Sequence, residues 1–101
     1  MSKSDIRFLQ ELESIIRQRI QERPDGSYTA ELVASGDKRV AQKVGEEALE
    51  LALATIGGSK DEQTDEAADL VYHLLVLLAS KDLSLAAVAG RLAARHAGPG
   101  G

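Results

Sequence analysis

The sequence predicts an all-α fold, an antiparallel bundle of four to five helices completed by dimerisation. Apolar residues recur at three- and four-residue spacing along most of the chain, the period of a helix with a buried side. Alternation at period two is absent and β-branched residues are scattered, so no strand is expected. The breaks between periodic stretches are short, which favours antiparallel neighbours.

Ser4 can cap a first helix whose apolar residues are Ile6, Leu9, Leu12, Ile16 and Ile20. Arg23-Pro24-Asp25-Gly26 stops it, since proline fixes φ and glycine accepts a positive one. Thr29 is expected to cap a short helix over 30–35, closed by Gly36. Asp37 then caps a long helix to about Ile56. Ser59-Lys60-Asp61-Glu62 has capping-box spacing for a fourth helix that runs to about Ser80. Ser84 starts a last helix through Leu85, Val88 and Leu92, and the tail over 98–101 is expected to be disordered. Residues 1–97 read as a single domain with no internal repeat.

Composition narrows the function. At 44% hydrophobic and 28% charged, these 101 residues describe one ordinary soluble domain with a modest core. A net charge of −4 argues against a nucleic-acid backbone as partner. Without cysteine, disulfides and thiolate zinc sites are excluded. The start Met1-Ser2-Lys3-Ser4-Asp5 lacks a signal-peptide pattern, and the longest apolar run, Leu74 to Ala79, is too short for a membrane span. A cytoplasmic location and no membrane partner are expected.

The chemistry concentrates in two acidic clusters, Glu46, Glu47 and Glu50 on the third helix, Glu66 and Asp69 on the fourth. Projected at ~100° per residue, Lys43, Glu47 and Glu50 share an arc of roughly 60°, with Glu46 just outside it. Glu62, Glu66, Asp69 and His73 share another arc on the fourth helix. The remaining circumference of both helices is mostly apolar or small, so each needs partners on several sides, and a second subunit is expected to supply some. Leu75 and Leu78, away from the acidic arc, are the expected intersubunit contacts.

A lone Glu-x-x-Glu pair is ordinary solvated surface. Two such pairs facing each other on otherwise apolar helices would repel unless a hard cation lay between them. Pattern alone leaves both readings open. If a metal binds, an all-oxygen donor set favours Mg²⁺ or Mn²⁺, since no histidine stands three residues after a glutamate as in ferritin-like bundles. His73 reads as a hydrogen-bonded core histidine, with a substrate contact as the alternative. Lys43 reads as a helix salt bridge to Glu47, or as a phosphate ligand. Lys38 and Arg39 are phosphate-binding candidates of the same kind, or simply solvated.

The pattern Glu-Glu-x-x-Glu, a spacer over 51–65, then Glu-x-x-Asp resembles the signature of the all-α nucleoside-triphosphate pyrophosphatases, the MazG-like superfamily. Gly26-Ser27-Tyr28-Thr29, the run QKVGEEALEL from Gln42, EAADLVYHLLVLL from Glu66, and Leu83-Ser84-Leu85 narrow the resemblance to the phosphoribosyl-ATP pyrophosphatase family, from about Leu9 to His96. The resemblance implies Glu47, Glu50, Glu66 and Asp69 as metal ligands, and Glu46 as a water-orienting group, catalytic together with Glu47 and Glu50. It implies Mg²⁺-dependent hydrolysis of phosphoribosyl-ATP to phosphoribosyl-AMP and pyrophosphate, in histidine biosynthesis, by a homodimer or a dimer of dimers. No cyclohydrolase region with its cysteines accompanies it, so the stand-alone form is expected. The alternatives are a house-cleaning nucleoside-triphosphate pyrophosphatase and a non-catalytic helical dimerisation module.

Overall fold

The computed structural model describes residues 4–98. Five helices account for the fold: α1 (Phe8–Glu22), α2 (Tyr28–Ala34), α3 (Asp37–Gly57), α4 (Lys60–Ser80) and α5 (Leu85–Arg95). There is no strand among the described residues.

Capping explains most of the boundaries. Ser59 and Ser84 cap as their sequence contexts require, accepting from the N–H groups of Glu62 (3.1 Å) and Ala87 (3.0 Å). Three expected caps move. Thr29 is not the cap of α2; Ser27 is, taking the Ala30 N–H at 3.2 Å. Thr29 is buried instead, its hydroxyl bonded to that of Tyr72. Nor does Ser4 cap α1, which begins four residues later with Arg7 at the cap position. The Asp5 carboxylate takes the Arg7 N–H at 2.8 Å and holds the intervening turn. Asp37 lies inside α3 rather than capping it, and Gly36 at φ 106° provides the entry.

α3 and α4 form a helical hairpin. Gly58 and Ser59 alone connect them, and the Gln63 amide donates to the carbonyls of Ala54 (3.3 Å) and Gly58 (3.0 Å) to close it. A Cβ on Gly58 would lie 2.7 Å from the Ala54 carbonyl oxygen, so the turn requires glycine there. At the far end Lys81 pairs with Asp37, which fixes the two helices as antiparallel.

The core is Ile16 from α1, Leu32 from α2, Val40 from α3, and Leu75 and Val76 from α4. Leu12, Ile20, Val71 and Leu85 pack around it. Leu75 is 1% exposed within one chain. It therefore cannot be an intersubunit contact as its sequence position suggested; α1 and α2 cover that side of α4. Leu78 is half-buried. α5 buries no residue, and its start is tied down by polar contacts from α1. Glu13 accepts the Leu85 N–H at 2.6 Å, and Arg17 donates to Asp82 (3.2 Å) and to the Leu83 carbonyl (3.0 Å). No single helix among the described residues is long and apolar enough to cross a membrane. Of the expected disordered tail, only Gly98 lies within the described residues.

Candidate metal centre

The hairpin brings the two acidic clusters together across its middle. Glu47 on α3 and Glu66 and Asp69 on α4 each offer a carboxylate oxygen within 4.8 Å of the other two. The geometry follows from the turn. Glu47 lies ten residues before the end of α3, and Glu66 and Asp69 lie six and nine after the start of α4, so antiparallel packing sets Glu47 nearly level with Asp69 and about one turn from Glu66.

Burial separates Glu47 and Glu66 from a solvated acidic face, while Asp69 is exposed. Glu47 is 6% exposed and Glu66 half-buried. The Oε2 atoms of both are shielded from solvent and have no hydrogen-bond partner in the protein. A buried carboxylate oxygen without a donor is costly, and a carboxylate cannot donate to another carboxylate while both are ionised. Lys43 satisfies only one oxygen of the cluster, Glu47 Oε1, at 3.3 Å. That leaves a compact, oxygen-only donor set short of positive charge. It fits a hard divalent cation, which would satisfy both orphaned atoms at once.

Glu50 stands beside the triangle, on the solvent side and outside it. Its carboxyl is pushed above the ordinary glutamate range, chiefly by the charge on Glu47, with its own desolvation and the nearness of Glu66 adding. Lys43 is pushed up by its hydrogen bond to Glu47, against a small opposing desolvation. Glu46 is not a member of the triangle and pairs with Arg39 at 3.5 Å. Lys38 is solvent-exposed in the first turn of α3, more than two turns before Glu47. Of the three basic candidates, Lys43 touches the cluster, Arg39 pairs with Glu46 outside it, and Lys38 is remote from it.

His73 is 7% exposed, one turn beyond Asp69. Its Nδ1 lies 2.7 Å from the Asp69 carbonyl oxygen and its Nε2 2.9 Å from the Tyr28 hydroxyl. This is the hydrogen-bonded core histidine that its place on an otherwise apolar helix suggested. Tyr28 and Tyr72 complete an aromatic group around it, with ring centroids 5.7 Å and 5.2 Å from the imidazole in edge-on geometry. The role of Tyr28 beside the carboxylates is the feature that sequence reasoning missed. Helical periodicity cannot link the start of α2 to α4, and only the Tyr72-His73 pair one turn past Asp69 hinted at it.

A family model described as "PRA-PH: Phosphoribosyl-ATP pyrophosphohydrolase" matches residues 9–96. The chain is similar to the "Histidine biosynthesis bifunctional protein HisIE" of Yersinia pestis, 54% identical over 93 residues, 92% of this chain and 46% of that protein. It is also similar to the protein of the same name from Salmonella typhimurium (strain LT2), 53% identical over 89 residues, 88% of this chain and 44% of that protein. The chain thus spans about half the length of the curated relatives it matches.

Proposed function

From the premise that this chain belongs to the phosphoribosyl-ATP pyrophosphohydrolase family, we propose that it hydrolyses phosphoribosyl-ATP to phosphoribosyl-AMP and pyrophosphate, as a step of histidine biosynthesis. The observation that carries the reading is the triangle of Glu47, Glu66 and Asp69 with its two buried, unpartnered oxygens. A donor set of this kind binds a triphosphate only together with a divalent cation, because bare carboxylates and phosphates repel.

Glu47, Glu66 and Asp69 would hold the cation, Mg²⁺ or Mn²⁺, with Glu50 completing the set. Bound there, it would neutralise phosphate charge and acidify water. The rest falls to the chain's own residues. Lys43, at the edge of the cluster and already paired with Glu47, is placed to exchange that partner for a phosphate oxygen. Arg39 holds Glu46 outside the triangle, where the carboxylate is free to orient the attacking water. Water then attacks in line at the α–β linkage, that phosphoanhydride bond breaks, and the departing pyrophosphate takes the electron pair. Glu46, Glu47 and Glu50 are the carboxylates placed to take the water proton.

The unit that works in solution is proposed to be a homodimer or a dimer of dimers. Leu49, Leu53 and Ile56 are 58–82% exposed on one face of α3, past Glu47, and a second copy would cover them. The acidity of the chain supports a small-molecule substrate over nucleic acid.

A pyrophosphate-release panel tests the reading, with phosphoribosyl-ATP set against ordinary nucleoside triphosphates, with and without a chelator. Turnover of phosphoribosyl-ATP that a chelator abolishes and Mg²⁺ restores is the expected result. Preference for an ordinary or damaged nucleotide would replace the substrate assignment, and no release from any of them would defeat the enzymatic reading.

A further inference from the structure

We propose that Tyr28 is the platform on which the purine base of the nucleotide stacks, its ring locked in place by His73. The identity of the base rests on the phosphoribosyl-ATP reading; the platform rests on geometry.

A tyrosine ordinarily buries its ring and leaves its hydroxyl at the water. Tyr28 is the reverse. Its hydroxyl is bonded at 2.9 Å to His73, which is 7% exposed, while Tyr28 itself is 47% exposed. The hydroxyl is thus engaged by a buried partner on a residue that stays about half open. For the neutral imidazole the direction of the bond is fixed by chemistry. A carbonyl oxygen only accepts, so the His73 Nδ1–H must donate to Asp69 (2.7 Å). In the neutral imidazole Nε2 is then a bare acceptor, and the phenol donates to it.

The ring has little freedom to swing. It lies edge-on to His73 and 30° from the plane of Tyr72, at a centroid distance of 6.3 Å. The neighbouring Thr29 ties the same turn to α4 through the Tyr72 hydroxyl. The site is also the right one. His73 hangs from the backbone of Asp69, a member of the carboxylate triangle, and Tyr28 is bonded to the other side of the same imidazole. Phosphates drawn to Lys43 and the carboxylates would leave the base within reach of a half-open aromatic surface. The chain has three aromatic residues, and two of them meet here. A rigid exposed ring is what a nucleobase uses for affinity, because every base offers a π-face.

The chain lacks tryptophan, so tyrosine emission reports the contact directly. In Tyr72→Phe, Tyr28 is the sole tyrosine; should that variant fold poorly, the difference between the parent and Tyr28→Leu gives the same signal. Tyr28→Leu also corrects for light absorbed by the nucleotide. AMP or ATP with Mg²⁺ is expected to quench Tyr28, and inorganic tripolyphosphate with Mg²⁺ is not. Tyr28→Leu is expected to raise KM for phosphoribosyl-ATP about tenfold with kcat little changed, in line with the loss of one base stack. Tyr28→Phe keeps the stack and holds KM within about threefold of the parent, the size of one lost hydrogen bond. His73→Phe, which removes the acceptor for the phenol together with the Nδ1 donor to Asp69, falls between the two. Unquenched emission at saturating AMP, or an unchanged KM in Tyr28→Leu, overturns the platform while leaving the hydrolysis standing. Quenching by purine nucleotides in a protein that does not cleave phosphoribosyl-ATP overturns the substrate assignment and leaves the platform standing.

Discussion

α3 and α4 are both 21 residues long and share one acidic site, yet one is finished by its own chain and the other is not. α4 buries Leu75 and Val76 completely, because α1, α2 and α3 all pack on it. α3 packs chiefly on α4 and α2. It buries Val40 near its start, and past Glu47 it presents Leu49, Leu53 and Ile56 to solvent. The carboxylate triangle sits on the boundary. Glu47 belongs to the packed half of α3, and Glu50, less than one turn further, already stands in the open half. A single chain thus buries Glu47 and half-buries Glu66, and leaves Glu50 to be placed by whatever covers α3.

The sharpest way to break the comparison is to cut into the finished side. Leu75→Ala is expected to cost about 2–5 kcal/mol, the usual range for emptying a fully buried leucine site. Chemical denaturation measures it. If Leu53→Ala, at a position 58% exposed, cost as much at a protein concentration where the chain is monomeric, α3 would be no less finished than α4.

The next largest effect falls on the boundary. Glu47→Gln, Glu66→Gln and Asp69→Asn should each lower activity by at least the ~10–100-fold typical of a disturbed metal site. Glu50→Gln should cost less than any of them, because Glu50 lies outside the triangle. All four proteins should fold, since an amide relieves carboxylate repulsion. Full activity in two of the three triangle variants would remove the cation from the reading, and Glu50→Gln as the most damaged would shift the site toward the open half.

What the sequence made legible follows from how local each feature is. Helix number and most boundaries were readable because caps and turns are encoded within a few residues. Ser59 and Ser84 cap as their contexts demand, whereas Thr29 gave way to Ser27 because tertiary burial claimed its hydroxyl. The facing of Glu47 toward Glu66 and Asp69 was readable because a two-residue connection forces an antiparallel hairpin. The Tyr28–His73 bond spans 45 positions, and no periodicity encodes it. The choice of Leu75 as an intersubunit residue failed for a related reason: a helical wheel gives the face but not which neighbour covers it.

The open side of α3 supplies a smaller, concentration-dependent effect. If a second copy covers Leu49, Leu53 and Ile56, the unfolding midpoint should rise with protein concentration. Leu53→Ala should then weaken association by about 1 kcal/mol, a typical cost for truncating an interface residue. The fold of each chain should be undisturbed. Sedimentation of the parent and the variant distinguishes the outcomes, and a monodisperse 10.8 kDa parent at micromolar concentration would show that α3 is complete as it stands.

The smallest effect is a pH dependence carried by Glu50. Its carboxyl is raised in the folded protein, first by the charge on Glu47, then by desolvation and by Glu66. Without a cation, the folded chain therefore holds the Glu50 proton to a higher pH than the unfolded chain does. The unfolded state binds fewer protons across that window, so stability falls as pH rises from the ordinary glutamate range through the raised value, and recovers on acidification. The Glu50→Gln protein should lack this component, and the difference between parent and variant isolates it from every other titrating group. Mg²⁺ should flatten the parent's slope, since a cation on the triangle cancels the Glu47 charge that causes the shift. Thermal melts across mildly acidic pH, with and without Mg²⁺, measure all three. A parent more stable at higher pH relative to Glu50→Gln would mean that Glu50 faces a cationic group instead, and that the carboxylates do not share one field.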